Sequence, residues 1–286
     1  MSEYRKVTQI ITPEYVMEGA GVRLKRSIAT RTLNYLDPFL LFDHFGSDNP
    51  DDYLAGFPMH PHRGIETVTC MLAGRVHHAD SIGNSGDIYG GDVQWMTSGG
   101  GIMHEEMPRP IDGKMEGFQL WVNLPASLKM SEPRYQEISS KMIPMVSSNN
   151  GLAVRVIAGD YENTTGAVTE VAIHPIYLDV SLSEGCEFEF NLPASHTTFL
   201  YVYASTCQVG NQDIASPRLA ILGQGNGVRV ATADEQARFL LVSGEPIGEP
   251  IARYGPFVMN TKDEIEEALD DLNKGTFIWS EKIKTL

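Results

Sequence analysis

Cysteine is scarce in this sequence. Cys70, Cys186 and Cys207 are the only three among 286 residues. An odd count without a Cys-x-x-Cys pair excludes a disulfide framework and a thiolate zinc site, and predicts free thiols in a reducing compartment. Basic runs are scarcer still. Lys and Arg number 22 against 37 Asp and Glu, for a formal net charge of -15, and Arg23, Lys25, Arg26 and Arg31 are scattered. A surface of that sign repels a phosphate backbone, so no direct nucleic-acid contact is expected. No apolar run approaches the ~18 residues that span a bilayer. The start, Met1-Ser2-Glu3-Tyr4-Arg5-Lys6, has no apolar stretch of the secretory type. The expectation is a soluble cytoplasmic protein with no membrane partner. Ser98-Gly99-Gly100-Gly101 lacks the Gly-Lys-Ser/Thr ending of a phosphate loop, and no Gly-x-Ser-x-Gly elbow stands out.

Hydrophobic residues make up 42% of the chain, enough for a packed core. They fall mostly into short β-rich runs closed by turn residues, such as 66–72, 93–97 and 118–124, then 152–158, 177–182, 187–192, 198–204, 219–222, 228–232 and 239–242. Short strands at this spacing predict sandwiches or barrels. Glu187-Phe188-Glu189-Phe190-Asn191-Leu192 alternates strictly, so one face is buried and the other wet. Residues 126–150 lack a β pattern and end in the polar turn cluster Ser147-Ser148-Asn149-Asn150-Gly151, which marks a crossover between domains. One helix is predicted near the C-terminus. Thr261 and Glu264 form a capping box, Ile265, Ala268, Leu269 and Leu272 an apolar stripe, and Asn273-Lys274-Gly275 a stop.

The chemistry concentrates in His60-Pro61-His62. On an extended strand, residues i and i+2 share a face, so two imidazoles are presented together. Pro61 donates no ladder hydrogen bond, which suits an edge or bulge. Glu66 has the same parity and also faces that side if the strand stays regular. Some forty residues later, His104 and Glu106 form a second i, i+2 pair, with Glu105 pointing away. Strands carrying the two pairs, laid near each other, assemble three imidazoles and a carboxylate. That donor set suits one divalent ion such as Fe(II), Mn, Ni, Cu or Zn. His77-His78 straddles a strand beside a turn and reads as surface. His44, His174 and His196 stand alone and read as structural.

Gly56-x3-His60-x-His62-x3-Glu66-x7-Gly74 resembles the first cupin motif, and Gly101-x2-His104 the core of the second. Within the cupins the sequence is similar to the pirin family over about residues 20–125 and 244–275. The similarity rests on the blocks 36–43, 60–68, 91–97, 101–108 and 119–125, and on the closing block from Glu249 to Asn260. It implies an all-β bicupin of two β-barrel (jelly-roll) domains with a short C-terminal helix. The expected domains are 1–135, holding the metal site, and 136–286, without one and including the helix and tail. Pirins bind iron through three histidines and a glutamate, which carry over by position to His60, His62, His104 and Glu106, leaving Glu66 beside the site. The second half has no His-x-His, so one metal per chain is implied.

Some pirins act as quercetin 2,3-dioxygenases, and others are described as partner-binding regulators. The first role implies a flavonol-like substrate and O₂, Fe(II) acting as Lewis acid and template, and Glu106 accepting the substrate's proton as the catalytic residue. Phe57, Trp95, Phe118 and Trp121 are the aromatic candidates for the pocket lining. The second role implies a redox-responsive iron protein that binds a protein partner without catalysis.

Overall fold

The computed structural model describes residues 3–279 apart from positions 110, 112 and 150, so Asn150 of the polar turn cluster and the tail after Trp279 lie outside the described residues. The chain divides into two compact units. The first contains Tyr15–Ala29, Asn34–Ser140 and the segment from Ile247 onward. The second contains the segment up to Glu14, Thr30–Leu33 and Lys141–Pro246.

In chain order, β1 (Val7–Ile11) lies in the second unit. The first unit holds β2 (Glu14–Glu18), β3 (Val22–Ile28), β4 (Phe39–Ser47), β5 (Phe57–His62), β6 (Ile65–Ala73) and β7 (Arg75–Asp80), then β8 (Ser85–Tyr89), β9 (Val93–Thr97), β10 (Ile102–Arg109), β11 (Met115–Asn123) and β12 (Arg134–Ile138). They form a seven-stranded sheet, β12-β9-β6-β11-β4-β3-β2, and a four-stranded sheet, β5-β10-β7-β8. All pairings within both sheets are antiparallel where register is resolved.

Strand alternation sorts this unit into layers. One end of the interior is apolar, with Val22, Leu24, Phe45, Met71, Val76 and Met115 in one buried cluster. Truncating a buried aromatic such as Phe45 costs about 3–5 kcal/mol in such a setting. Above this floor a polar row crosses the large sheet. The register places Arg26 beside Asp43, Asp43 beside Gln119, Gln119 beside Thr69, Thr69 beside Gln94 and Gln94 beside Glu137. Because the side-chain period is two, all six share one sheet face.

The second unit pairs β1 with strand Arg218–Leu222, matching Ile11 to Leu219 and Val7 to Leu222. Its seven-stranded sheet is completed by strands from Met145–Ser147 through Ala237–Gly244, and a four-stranded sheet contains Glu187–Asn191. In that strand Phe188 is buried while Glu187 and Glu189 stay wet beside Arg229, as the alternation predicts. Its core is apolar, with Val154, Leu178, Phe188, Leu200 and Phe239 among the fully buried members.

Helix α1 (Lys262–Lys274) has the expected capping box, and Gly275 ends it at φ 72°. Ile265 and Ala268 pack with Phe257, Met259 and Phe277 in the first unit, against Met103 of β10. A division at 135/136 therefore separates segments that pack together, since α1 belongs with the first barrel and β1 with the second. Both exchanges are long-range pairings that leave no local signal. The segment expected to lack β structure contains β12, whose polar pattern, Arg134-Tyr135-Gln136-Glu137-Ile138, hid it.

Candidate metal centre

The His60/His62 and His104/Glu106 pairs lie on adjacent strands. β5 and β10 pair antiparallel with His104 opposite His60 and Ile102 opposite His62. The ligand nitrogens of His60, His62 and His104 all lie within 4.8 Å of one another. His62 and His104 are buried and His60 is partly open. His60 Nδ1 donates to the Pro58 carbonyl at 2.9 Å, which fixes the tautomer and leaves the Nε2 lone pair facing the cluster. That Nε2 sits 3.1 Å from His62 Nε2. Two nitrogens bound at right angles to one ion, with bonds of ~2.1 Å, stand ~3.0 Å apart. Both ring nitrogens of His104 are buried with no hydrogen-bond partner among the described residues. Burial holds all three imidazoles below their ordinary pKa, His62 and His104 well below, and each of these two is lowered further by its neighbouring histidines. Neutral, converging and unpartnered nitrogens are the chemistry a divalent metal requires.

Glu106 is not a member of that three-nitrogen group. A bulge between His104 and Glu106 shifts the register, so that Glu106 lies opposite Phe57. Its carboxylate still reaches the interior, where it lines one cavity with His60 and His62. Burial raises its pKa to about 7, against the opposing pull of the Thr69 hydroxyl. Thr69 Oγ1 lies 3.0 Å from Glu106 Oε1 and 2.9 Å from the Gln119 side chain. The Thr69 hydroxyl thus links the Gln119 side-chain oxygen to the Glu106 carboxyl.

Glu66 takes another direction. Gly64, at φ 80°, breaks the strand after His62, and Glu66 enters β6 of the large sheet. It has opposite parity to Thr69, so it faces away from the cavity and accepts from Thr97 Oγ1 at 2.8 Å. Of the aromatic candidates, Phe57 and Trp121 line the cavity, and Trp121 meets the His62 ring edge-on at 5.0 Å. Trp95 and Phe118 do not line it. Trp95 pairs with Val68, and Phe118 with Cys70, on the sheet's opposite face. Their spacing to cavity-facing residues already implies this, because Phe118 and Trp121 are three apart on one strand.

His78 is the other correction. Its neighbour His77 does face out, 3.0 Å from Asp87, but His78 is fully buried. It sits cross-strand from Glu106, and its Nε2 lies 2.6 Å from Glu137 Oε1. The adjacent pair thus obeys strand alternation, with only one member on the surface. The other three histidines remain apart: His44 lies 3.3 Å from Glu116, exposed His174 3.1 Å from Glu245, and His196 3.4 Å from Ser243.

The cavity has a volume of about 520 Å³. Apolar side chains of the barrel floor close one end. The polar wall carries Asp43, Gln119 and Thr69, and the closing segment adds Arg253, Gly255 and Pro256. Sequence patterning missed Thr69, Gln119 and Arg253. Thr67 and Thr69 alternating with Val68 and Cys70 is the one signal that marked a polar inner face.

The Pirin family model matches residues 21–122, and the model of the Pirin C-terminal cupin domain matches residues 177–278. A Pseudomonas aeruginosa protein provisionally named a quercetin 2,3-dioxygenase is 44% identical, covering 96% of this chain and 99% of its own. Human pirin is 41% identical over 95% of this chain and 93% of its own. The crystal structure of an Acinetobacter baumannii quercetin 2,3-dioxygenase superposes with a TM-score of 0.88 at 37% identity, covering 96% of this chain and 99% of that one. With both halves matched by the family's models and relatives aligned along nearly its whole length, the chain belongs to the pirin family.

Proposed function

We propose that this protein is a metal-dependent dioxygenase of the quercetin 2,3-dioxygenase type, opening a flavonol-like ring with O₂. The observation that carries this reading is the position of the histidine cluster. His60 and His62 form part of the wall of a substrate-sized, largely apolar cavity, where a purely structural metal would be sealed by its ligands. His60, His62 and His104 hold one divalent ion, Fe(II) in this reading, with Glu106 as the fourth protein ligand. Mn, Ni, Cu and Zn are compatible with the same donors. The ion supplies Lewis acidity and a template for substrate and O₂.

The chain's own residues do the rest. Phe57 and Trp121 offer aromatic faces to a planar ring system. The apolar floor excludes water around it. Glu106, held at the cavity wall by Thr69, is the carboxylate placed to accept the proton of a substrate hydroxyl. Thr69, fixed by Gln119, aims that carboxylate. The similarity to proteins named quercetin 2,3-dioxygenase supports the substrate class. The test is oxygen uptake by the Fe(II)-loaded protein with quercetin, matched to loss of flavonol absorbance. Stoichiometric uptake that disappears in His62→Ala supports the reading, and a full complement of iron without uptake on a flavonol panel refutes it.

A second reading, which membership of the pirin family leaves open, is a non-catalytic, redox-responsive iron protein that binds a protein partner. Iron-dependent co-purification of one partner, in the absence of oxygen uptake, would select it. Among the described residues, no helix is long and apolar enough to cross a membrane.

A further inference from the structure

The cavity's charges are unevenly used. Two arginines line it, Arg26 and Arg253. Arg26 is fully engaged. Its Nε and Nη2 grip the Asp43 carboxylate at 2.8 and 2.7 Å, and its Nη1 meets Glu18 at 2.6 Å. The two nearby acids hydrogen-bond Arg26 and act on Arg253 only through space. Arg253 is held more loosely, by the Leu40 carbonyl at 3.2 Å from Nη1 and the Gly255 carbonyl at 3.4 Å from Nε. Its Nη2 has no hydrogen-bond partner among the described residues. The guanidinium carbon lies 5.1 Å from the centre of the Trp121 ring, and Trp121 in turn abuts His62. The exposed Arg253 guanidinium thus lies over the Trp121 ring, and Trp121 links it to the candidate ligand His62.

We infer that Arg253 makes the cavity selective for a planar aromatic substrate that carries an anion, a carboxylate or an ionised phenol, on the ring farthest from the histidine cluster. The inference rests on the reading of this cavity as the substrate site. A ring against Trp121 with its oxygen-bearing end toward His60 and His62 places its opposite end at Arg253. With Nε and Nη1 bound to carbonyls, the partnerless Nη2 offers its N–H donors to an anionic oxygen in a direction set by the planar guanidinium.

The experiment is a fluorescence titration of the metal-loaded protein with 3-hydroxyflavone and with its 4′-carboxylate, followed by oxygen uptake with both. Charge-assisted hydrogen bonds are strong enough for a preference of ~10-fold or more for the carboxylate. Arg253→Gln should bring the carboxylated ligand down to the affinity of the neutral one. Arg253→Lys should keep part of the preference, and that part should shrink as salt is raised. Equal affinity of wild type for the two ligands, survival of the preference in Arg253→Gln, or no binding of either overturns the inference. Selective binding without oxygen uptake refutes the dioxygenase reading and leaves the selectivity standing. Oxygen uptake with no selectivity does the reverse.

Discussion

His60 illustrates how a single side chain is prepared for a ligand role. Its Nδ1 is bound to the Pro58 carbonyl, so the other nitrogen has one direction in which to offer its lone pair. His62 has no such freedom to relax, being buried between His60, His104 and Trp121. We expect His62→Ala to lose most of the bound metal and all dioxygenase activity, as measured by metal analysis after equilibrium dialysis. A full equivalent at wild-type affinity would overturn the ligand assignment. The two glutamates separate by parity. Glu106→Gln should weaken metal binding more than Glu66→Gln, since Glu106 faces the cavity and Glu66 the far side of its sheet. A metal titration giving the opposite order would make Glu66 the relevant carboxylate. Thr69→Val removes the hydroxyl that aims Glu106, and support of that kind is worth ~10–100-fold in affinity or activity. Unchanged affinity and turnover in that variant would show that Glu106 is positioned without Thr69. At this scale the histidines were legible in the sequence because spacing fixes which of them share a face. Glu66 was to face the site only if the strand stayed regular, and Gly64 breaks it.

Elements explain why the ligand strands stay in register. The segment from Phe257 to Trp279 lies against the turn that leaves β5 and the turn that enters β10. Gly64 follows His62 directly after Arg63, and a Cβ there would sit 2.0 Å from the Val258 carbonyl oxygen. Gly101 precedes β10, and its Cβ would sit 2.2 Å from the Phe277 carbonyl oxygen. Both residues have positive φ, so an added side chain brings strain as well as collision. The same segment is tied down by Arg63, whose Nη1 reaches Asp271 at 2.9 Å and whose guanidinium stacks 4.6 Å from the Phe277 ring centre. Lys129 adds a buried link, donating to the Gly64 and Val258 carbonyls at 3.0 and 2.9 Å. Gly101→Ala should therefore lower both thermal stability and metal affinity, stability by ~2 kcal/mol or more given strain and overpacking together. A variant that melts like wild type would mean that the closing segment yields without consequence. The capping box made α1 readable from sequence. Its packing against Met103 was not readable, because that contact spans more than 150 residues.

At the scale of the whole molecule, acid stability and chain connectivity follow from particular contacts. Glu116 accepts a hydrogen bond from His44 and lies 3.0 Å from Lys114, which together hold its pKa down to about 2. A carboxylate depressed by folding contributes stability above its unfolded value of ~4.3, and that contribution is lost as pH falls toward 2. The urea midpoint should thus drop less between pH 6 and pH 3 in Glu116→Gln than in wild type. An equal drop would remove Glu116 from the account of acid sensitivity. The two-barrel plan was legible from strand spacing and motif blocks, whereas the exchange of chain ends was not, since propensities carry no information about which half an end will join. That exchange has a consequence during synthesis. The ribosome delivers Arg253, Gly255 and the segment that braces His62 and His104 only after the entire other barrel has emerged, and β1 waits for Leu219 before it finds its partner. Neither half can be completed in order of translation, so the nascent protein should remain protease-sensitive until the segment from Ile247 to Trp279 has emerged, and its metal should enter only then.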